Sequence, residues 1–297
     1  MLYGSRRGTA KRWFAIWISF ACCYALSGCA WGTAQEPEDL LRQAVSGLAG
    51  TDDFQFRGTA SLAIGENEPQ ESAVFEGKVT GHNELVMTFG KSRNGSANAQ
   101  SAENGKQAIL SRRNGQWVVL ETAASPLEAE LMLQWNPLSK LESLNAMAKQ
   151  VSGEPDGNDS KKTVVTVLPD DSDLTELYRT RLAEQMAALD ADRKLAELRE
   201  RHNLSSQEAE EMRPELERNL EAVRKRLEEA ANSLQAREEY RIGIDRASKL
   251  PLDMEIITQL SYSEGGVPKK EETHFRYEFT GYGSQNGSRD RSPTGSQ

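Results

Sequence analysis

Alternation between apolar and polar residues predicts that most of this chain folds into β-strands. From Phe54 to Ile64, every second residue is apolar or glycine, and four of the five residues between them are polar. This period of two is typical of a strand with one buried face. The alternation recurs, with interruptions, in the segments 73–79, 85–89, 108–110, 117–120, 164–168, 240–244, 252–262 and 273–279.

Short polar connections separate most of the candidate strands, which favours antiparallel pairing because parallel strands need long crossovers. Asn114-Gly115 lies between two apolar runs. This dipeptide is a strong hairpin signal, because both central residues of a type I′ turn need positive φ. We therefore expect an antiparallel sheet with one apolar face.

Three helices are predicted to cover that face. The first spans residues 36–49, where apolar residues recur at helical spacing. The other two lie within 126–150, one starting after Ser125 and one after Asn136, because each of these N-cap residues precedes a proline. The stretch 153–159 is rich in turn-forming residues and predicts a turn.

The segment 172–239 differs from the rest of the chain, because it is dense in charge and nearly free of glycine and β-branched residues. It predicts a helical hairpin with arms 174–201 and 214–239, broken before a capping box of Ser205 and Glu208. The second arm carries an apolar stripe formed by Leu216, Leu220, Val223, Leu227, Ala230 and Leu234. Such a stripe lies on one side of a helix.

The amino terminus has the layout of a secretion signal. It contains four basic residues, Arg6, Arg7, Lys11 and Arg12. An uncharged and mostly apolar run, 13–26, follows them and ends in Leu26-Ser27-Gly28-Cys29. This tetrapeptide resembles the lipobox of bacterial lipoproteins. The resemblance implies cleavage after Gly28 and a diacylglyceryl thioether on Cys29.

Other interpretations of this segment stay open. An uncleaved transmembrane anchor needs about 20 apolar residues, more than this run supplies, although local bilayer thinning tolerates a short span. Ordinary cleavage after Gly32-Thr33-Ala34 would release a soluble secreted protein. Ser5-Arg6-Arg7 hints at twin-arginine export, but Thr9 and Ala10 depart from that signal, so we expect the general route.

The predicted organisation is a signal peptide (1–28), a tether (29–35), a domain (36–283) with the hairpin 172–239 inserted, and a disordered tail (284–297). Cys22 and Cys23 leave with the signal, so no disulfide forms within the mature chain. The signal contains four basic and no acidic residues, so its removal takes the formal charge from −9 to −13. This balance argues against nucleic acid and anionic lipid surfaces as partners.

No catalytic constellation is recognisable in the sequence. His82, His202 and His274 stand apart from one another, and no nucleophile, metal or phosphate motif accompanies them. Paired carboxylates such as Glu210-Glu211 lie among arginines and lysines, as on a solvated helix face. We expect a protein without enzymatic activity, cofactor or metal.

Near the carboxyl end, a strand ends in Asp at 240–245, and the chain restarts as Leu-Pro-Leu-Asp-Met at 250–254. This run, with the order of predicted elements over 36–281, resembles the bacterial lipoprotein carriers and their LolA/LolB-like and LppX-like relatives. The resemblance implies an α+β half-barrel, in which a curved antiparallel sheet wraps around helices and leaves a hydrophobic cavity. Candidates for lining it are Phe54, Phe56, Leu62, Met87, Phe89, Met254, Ile256, Phe275 and Tyr277. The same residues would also suit a packed core.

Two functions fit these expectations. The first is a lipid-anchored lipoprotein that binds a hydrophobic or lipid-like ligand, as carrier, chaperone or sensor, on the extracytoplasmic face of the cell membrane. The anchor would lie in the outer membrane if the host has one. The second is a surface scaffold that docks a partner protein through the hairpin 172–239.

Overall fold

Ten antiparallel strands form one open sheet in the computed structural model of this chain, which describes residues 36–65, 71–91, 105–122, 132–157 and 159–283. The strands are β1 (Phe54–Ile64), β2 (Glu71–Thr80), β3 (Glu84–Lys91), β4 (Lys106–Arg113), β5 (Gln116–Thr122), β6 (Lys149–Pro155), β7 (Lys162–Pro169), β8 (Gln235–Asp245), β9 (Pro251–Glu264) and β10 (Val267–Thr280). Their order is β5-β4-β3-β2-β1-β10-β9-β8-β7-β6. The predicted antiparallel α+β half-barrel is confirmed.

The longer helices are α1 (Pro37–Ala49), α2 (Pro137–Ala146), α3 (Asp171–Ala187), α4 (Ala191–His202) and α5 (Ser206–Ser233). The predicted cap of α2 is present, because Asn136 Oδ1 accepts a hydrogen bond from Leu138 N at 3.0 Å. The predicted helix start at Ser125 lies outside the described residues. No helix in the described ranges is long and apolar enough to cross a membrane.

The sequence did not predict β6, which lies partly in the expected turn at 153–159. Gly153 and Pro155 obscure its alternation. Both are tolerated because β6 is at the edge of the sheet and pairs only with β7.

The helical hairpin, which we define as α3, α4 and α5, has three helices where two arms were expected. Its first arm is interrupted where Asp190 Oδ1 accepts a hydrogen bond from Arg193 N at 2.8 Å and caps a new helix. The predicted capping box of Ser205 and Glu208 is present. The second arm ends early, because residues 235–239 pair with β9 despite their helix-forming composition.

The hydrophobic core lies between helices α1 and α2 and one side of the sheet, which we call the inner face. This face carries Phe54 and every second residue after it on β1, together with the residues in register with them on neighbouring strands. The buried core residues lie between Leu40 and Phe279. The domain therefore has a core of its own and can be studied as residues 35–297.

Two glycines give the aromatic rings of the inner face their space. A Cβ atom on Gly58 would lie 2.4 Å from Phe75 Cζ and 2.5 Å from the carbonyl oxygen of Arg276, and one on Gly77 would lie 2.2 Å from Phe56 Cζ. The rings consequently lie across the neighbouring strand, and large and small residues alternate in the layer.

Candidate ligand-binding face

The inner face collects the nine residues that the resemblance made candidates for lining a cavity. Seven of them are buried in one core cluster, namely Phe54, Phe56, Met87, Met254, Ile256, Phe275 and Tyr277. Phe89 packs against this cluster and is partly buried. Leu62 lies outside it, with 38% of its surface exposed. Cys29, the predicted lipidation site, lies outside the described residues.

Trp135, just before α2, covers the aromatic part of the inner face. Its ring centroid lies 5.0 Å from that of Phe89, 5.4 Å from that of Phe75 and 6.0 Å from that of Phe275. The hydroxyl of Tyr277 donates a hydrogen bond to the carbonyl oxygen of Trp135 at 3.2 Å. Aromatic side chains therefore fill the inner face at this point.

Beyond the aromatic layer, the end of β1 leaves the inner face open. Leu62 and Ile64 continue the inward alternation of β1, yet they are 38% and 52% exposed. In the sheet, Leu62 pairs with Thr273 and Ile64 with Glu271 on β10. We call this apolar end of β1 the open end of the inner face.

A cavity of about 220 Å³ lies under the helical hairpin, against strands β9 and β10. We call it the hairpin cavity. Its lining is Tyr178, Leu182, Arg226, Leu227, Ala230, Leu234, Leu260, Tyr262, Glu264 and Glu271. Because Glu271 is the partner of Ile64 in the sheet, the hairpin cavity and the open end are neighbours on one face.

Charged side chains mark one part of the cavity wall. Arg226 Nη1 lies 3.7 Å from Glu264 Oε1, and Tyr262 donates a hydrogen bond to Glu271. Burial and this bond raise the pKa of Tyr262. With two carboxylates and one guanidinium, this part of the wall has a net negative charge.

The hairpin is bound to its own sheet by several hydrogen bonds. Glu229 accepts hydrogen bonds from the backbone N–H groups of Gly265 and Gly266 at 2.8 and 2.7 Å. Thr175 Oγ1 accepts one from Ala236 N at 3.1 Å. Within the hairpin, Arg179 donates to the carbonyl oxygen of Ala231 at 3.0 Å. These bonds hold α3 and α5 over β8 and β9.

A buried carboxylate, Glu238 on β8, joins the hairpin to the inner face. Its Oε1 accepts hydrogen bonds from Tyr178 Oη at 2.7 Å and Thr258 Oγ1 at 3.0 Å. Its Oε2 accepts one from Tyr240 Oη at 2.6 Å. Lys140 Nζ, on α2, lies 3.8 Å from Oε1. We call these five residues the Glu238 network.

The charges in the Glu238 network are set by burial and by its own members. Burial opposes the charge of Glu238, but the positive charge of Lys140 and the three hydroxyl donors together lower its pKa. Burial lowers the pKa of Lys140, Glu238 raises it, and Arg181 lowers it further. Burial and the neighbouring carboxylate raise the pKa of Tyr178. At neutral pH, therefore, Glu238 is ionised and the hydroxyls are neutral donors.

The opposite, outer face of the sheet has a groove of about 530 Å³ above β1, β2 and β3. Most of its side chains are polar or charged, including Arg57, Glu76 and Lys78. Arg57 also pairs with Glu278. Charges of both signs and few apolar groups make this groove unsuited to an apolar chain.

Sequence reasoning missed Trp135, Lys140 and Glu238. Trp135 lies in a short connection without periodicity. Glu238 and Lys140 are charged residues within segments interpreted as charged helix surface and as helical cover. The only signal for Glu238 is its position two residues before Tyr240, which puts it on the same face of β8.

No protein-family model matches the sequence, and no curated protein matches it. Among solved structures, the chain is similar to a LolA superfamily protein from Nitrosomonas europaea, with 7% identity, 83% of this chain and 94% of that chain covered, and a TM-score of 0.24. It is similar to LprF from Mycobacterium bovis, with 9% identity, coverage of 84% and 93%, and a TM-score of 0.32. A DUF1329 family protein from Desulfovibrio piger shares 8% identity, with coverage of 84% and 95% and a TM-score of 0.26.

The half-barrel assignment rests on the strand order, the register and the helices that cover the inner face.

Proposed function

We propose that this protein is an exported, lipid-anchored lipoprotein that binds the apolar chain of a lipid-like ligand on its inner face, without covalent chemistry. One observation supports ligand binding above the others. The hairpin cavity and the exposed Leu62 and Ile64 form adjoining apolar surface on a face that is otherwise covered. A concave apolar site with a few polar groups is the usual form of a small-molecule site.

The size of the cavity limits what it accommodates. Small-molecule pockets usually have about 300–1,000 Å³, and the hairpin cavity has about 220 Å³. It therefore suits one part of an apolar chain, and the rest of the ligand would lie along the open end.

The ligand is tested by native mass spectrometry of residues 35–297 purified from the host, with solvent extraction of what co-purifies. We expect a bound amphiphile in the unmodified domain. In Leu260→Trp, whose larger side chain fills the hairpin cavity, we expect its occupancy to fall. Leu120→Trp is the control, because Leu120 is exposed on β5, away from the cavity. An empty domain that also excludes added fatty acids and hydrophobic dyes would contradict the proposal.

The anchor is tested separately, with Cys29→Ser in the full chain. The support for this anchor is the lipobox resemblance alone. We expect the variant to lose metabolic labelling with a radioactive fatty acid while its domain keeps the same unfolding midpoint. Unchanged labelling and unchanged membrane attachment would rule out lipidation at Cys29.

The alternative, docking of a partner through the hairpin, has less support. Leu227, Ala230 and Leu234 of the apolar stripe line the hairpin cavity. The part of the stripe nearest the sheet therefore faces this domain's own strands. Deleting the hairpin would also remove the residues of α3 and α5 that line the cavity. Met212→Asp, at an exposed residue of α5 outside that lining, distinguishes the two functions, because loss of a partner with a ligand still bound would favour docking.

A further inference from the structure

Two basic side chains lie at the Glu238 network, Lys140 within it and Arg181 beside it, and Glu238 is the one carboxylate of the network. The side chain of Lys140 is 11% exposed, and its Nζ is 3.8 Å from Glu238, beyond hydrogen-bonding distance. Arg181 lies over the ring of Tyr178, with 5.4 Å between its Cζ and the ring centroid. The structure gives neither cation a hydrogen bond from its side chain to a described residue. Each therefore has donors available for a ligand.

Glu238 has little capacity left for these cations. Three hydroxyl groups already donate to its two oxygens. Lys140 instead lies over an aromatic ring, with its Nζ 5.4 Å from the centroid of Phe275. The positive charge of Arg181 acts on Lys140 unfavourably. An added anion would reduce this repulsion and accept hydrogen bonds from the available donors of Lys140 and Arg181.

A neutral donor lies one helical turn before Lys140. Asn136 is fully buried, and its Nδ2 has no hydrogen-bond partner among the described residues. The backbone N–H of Lys140 donates to the carbonyl oxygen of Asn136 at 3.2 Å, so the two residues belong to the same end of α2. Buried donors without partners are rare, because each costs the free energy of its desolvation.

The hairpin cavity adjoins the Glu238 network through one shared residue, Tyr178. Tyr178 lines the cavity and also donates to Glu238. An apolar chain in the cavity would thus have one end beside the two cations. Its other end would lie beside Arg226, Glu264 and Glu271, where the net negative charge disfavours an anion.

We propose that Lys140, Arg181 and Asn136 form a subsite for the anionic head group of an amphiphile whose apolar chain occupies the hairpin cavity. The proposal rests on the proposed function and adds the class of ligand, a single-chain amphiphile with a carboxylate or phosphate head. The formal charge of −13 of the chain without residues 1–28 does not oppose such a ligand, because the head is held by local positive charge.

The test compares dodecanoate with dodecanol, which have the same chain and differ in head-group charge at neutral pH. Residues 35–297 contain two tryptophans, Trp117 and Trp135. Trp117→Phe leaves Trp135, on the inner face, as the fluorescent reporter for titrations. We expect dodecanoate to bind about tenfold more tightly or better, as expected for a hydrogen bond to a charged group.

Three variants assign the preference to the subsite. Lys140→Met and Arg181→Met should each bring the two dissociation constants together, whereas Lys194→Met, on the exposed surface of α4, should leave the preference intact. If Lys140→Met does not fold, Lys140→Met with Glu238→Gln removes both buried charges and should also lose the preference. Thermal unfolding checks that each variant is folded.

The outcomes separate the two proposals. Equal binding of acid and alcohol by the unmodified domain, or a preference that survives both variants of Lys140, overturns the subsite and leaves the proposed function standing. If neither amphiphile binds, both proposals fail. Butyrate and inorganic phosphate are tested as free anions, and binding of either as tight as that of dodecanoate would overturn the claim that the subsite recognises an amphiphile.

Discussion

The two halves of the inner face are covered in different ways. Over β1, β2 and β3, aromatic rings fill the space, with Trp135 in contact with three rings. Over β8 and β9, the helical hairpin leaves a cavity and buries a carboxylate. One half of this continuous sheet is therefore stabilised by packed rings, and the other half retains space and is stabilised by a buried polar network.

The largest effect on stability should come from the half of the inner face over β8 and β9, which we call the polar half. Glu238→Ala removes the acceptor of three hydroxyl groups and the counter-ion of Lys140. We expect a loss of about 3–5 kcal/mol in the free energy of unfolding, because a buried charge is left unpaired. Glu239→Ala, one residue along β8, is the matched control and should change stability by less than about 0.5 kcal/mol. Urea unfolding measures both, and equal effects would show that the network is not a stabilising element.

The half of the inner face over β1, β2 and β3, which we call the aromatic half, should tolerate no added side-chain volume. In Gly58→Ala, the new Cβ would meet Phe75 and the backbone of Arg276 at about 2.5 Å, and overpacking of this kind costs about 1–3 kcal/mol. Gly157→Ala is the control, since among the described residues no atom beyond its chain neighbours lies within 4 Å of a Cβ there. Thermal or urea unfolding of the two variants tests this, and a neutral Gly58→Ala would mean that the rings repack.

The dependence of stability on pH tests the polar half, because this half contains the buried carboxylate of Glu238. Because the pKa of Glu238 is lowered in the folded state, its contribution is present above the ordinary carboxyl pKa of about 4.3 and is lost as pH falls through the folded value. We expect the free energy of unfolding to fall more steeply below about pH 4 in the unmodified domain than in Glu238→Gln. Urea unfolding at each pH measures this free energy. If the curves of the two proteins against pH are parallel, Glu238 does not contribute to the loss of stability in acid.

The smallest effect on stability should come from the open end. Leu62→Asn replaces a side chain that is already 38% exposed, so we expect a change within about 0.5 kcal/mol. Binding of a hydrophobic fluorescent dye should nevertheless fall, because this residue adjoins the hairpin cavity. Leu120→Asn, at a similarly exposed leucine on β5, should leave dye binding unchanged, and equal losses would mean that the dye has no specific site.

Periodicity predicted the strands well where one face is buried and the other is not. It missed β6, because Gly153 and Pro155 obscure the alternation, and the sequence does not say that this strand is at the sheet edge, where a proline is tolerated. It also extended α5 into β8, since the choice between helix and strand at 235–239 depends on pairing with β9. The nine candidate lining residues lie on the inner face, but seven are buried in its core and none is among the residues that line the hairpin cavity. Lys140 and Glu238 come from distant segments whose meeting no local pattern reveals.

The position of β1 has a consequence for how this chain folds. Gln55 pairs with Thr280, and Ile64 with Glu271, so the first and last strands are neighbours at the centre of the sheet. The two halves of the sheet cannot join until the final strand has been synthesised. Contacts this distant in sequence slow folding, because the ends of a long loop must meet before they are stabilised. The sheet is therefore completed last, and until then both of its halves keep an unpaired edge strand where β1 and β10 will meet.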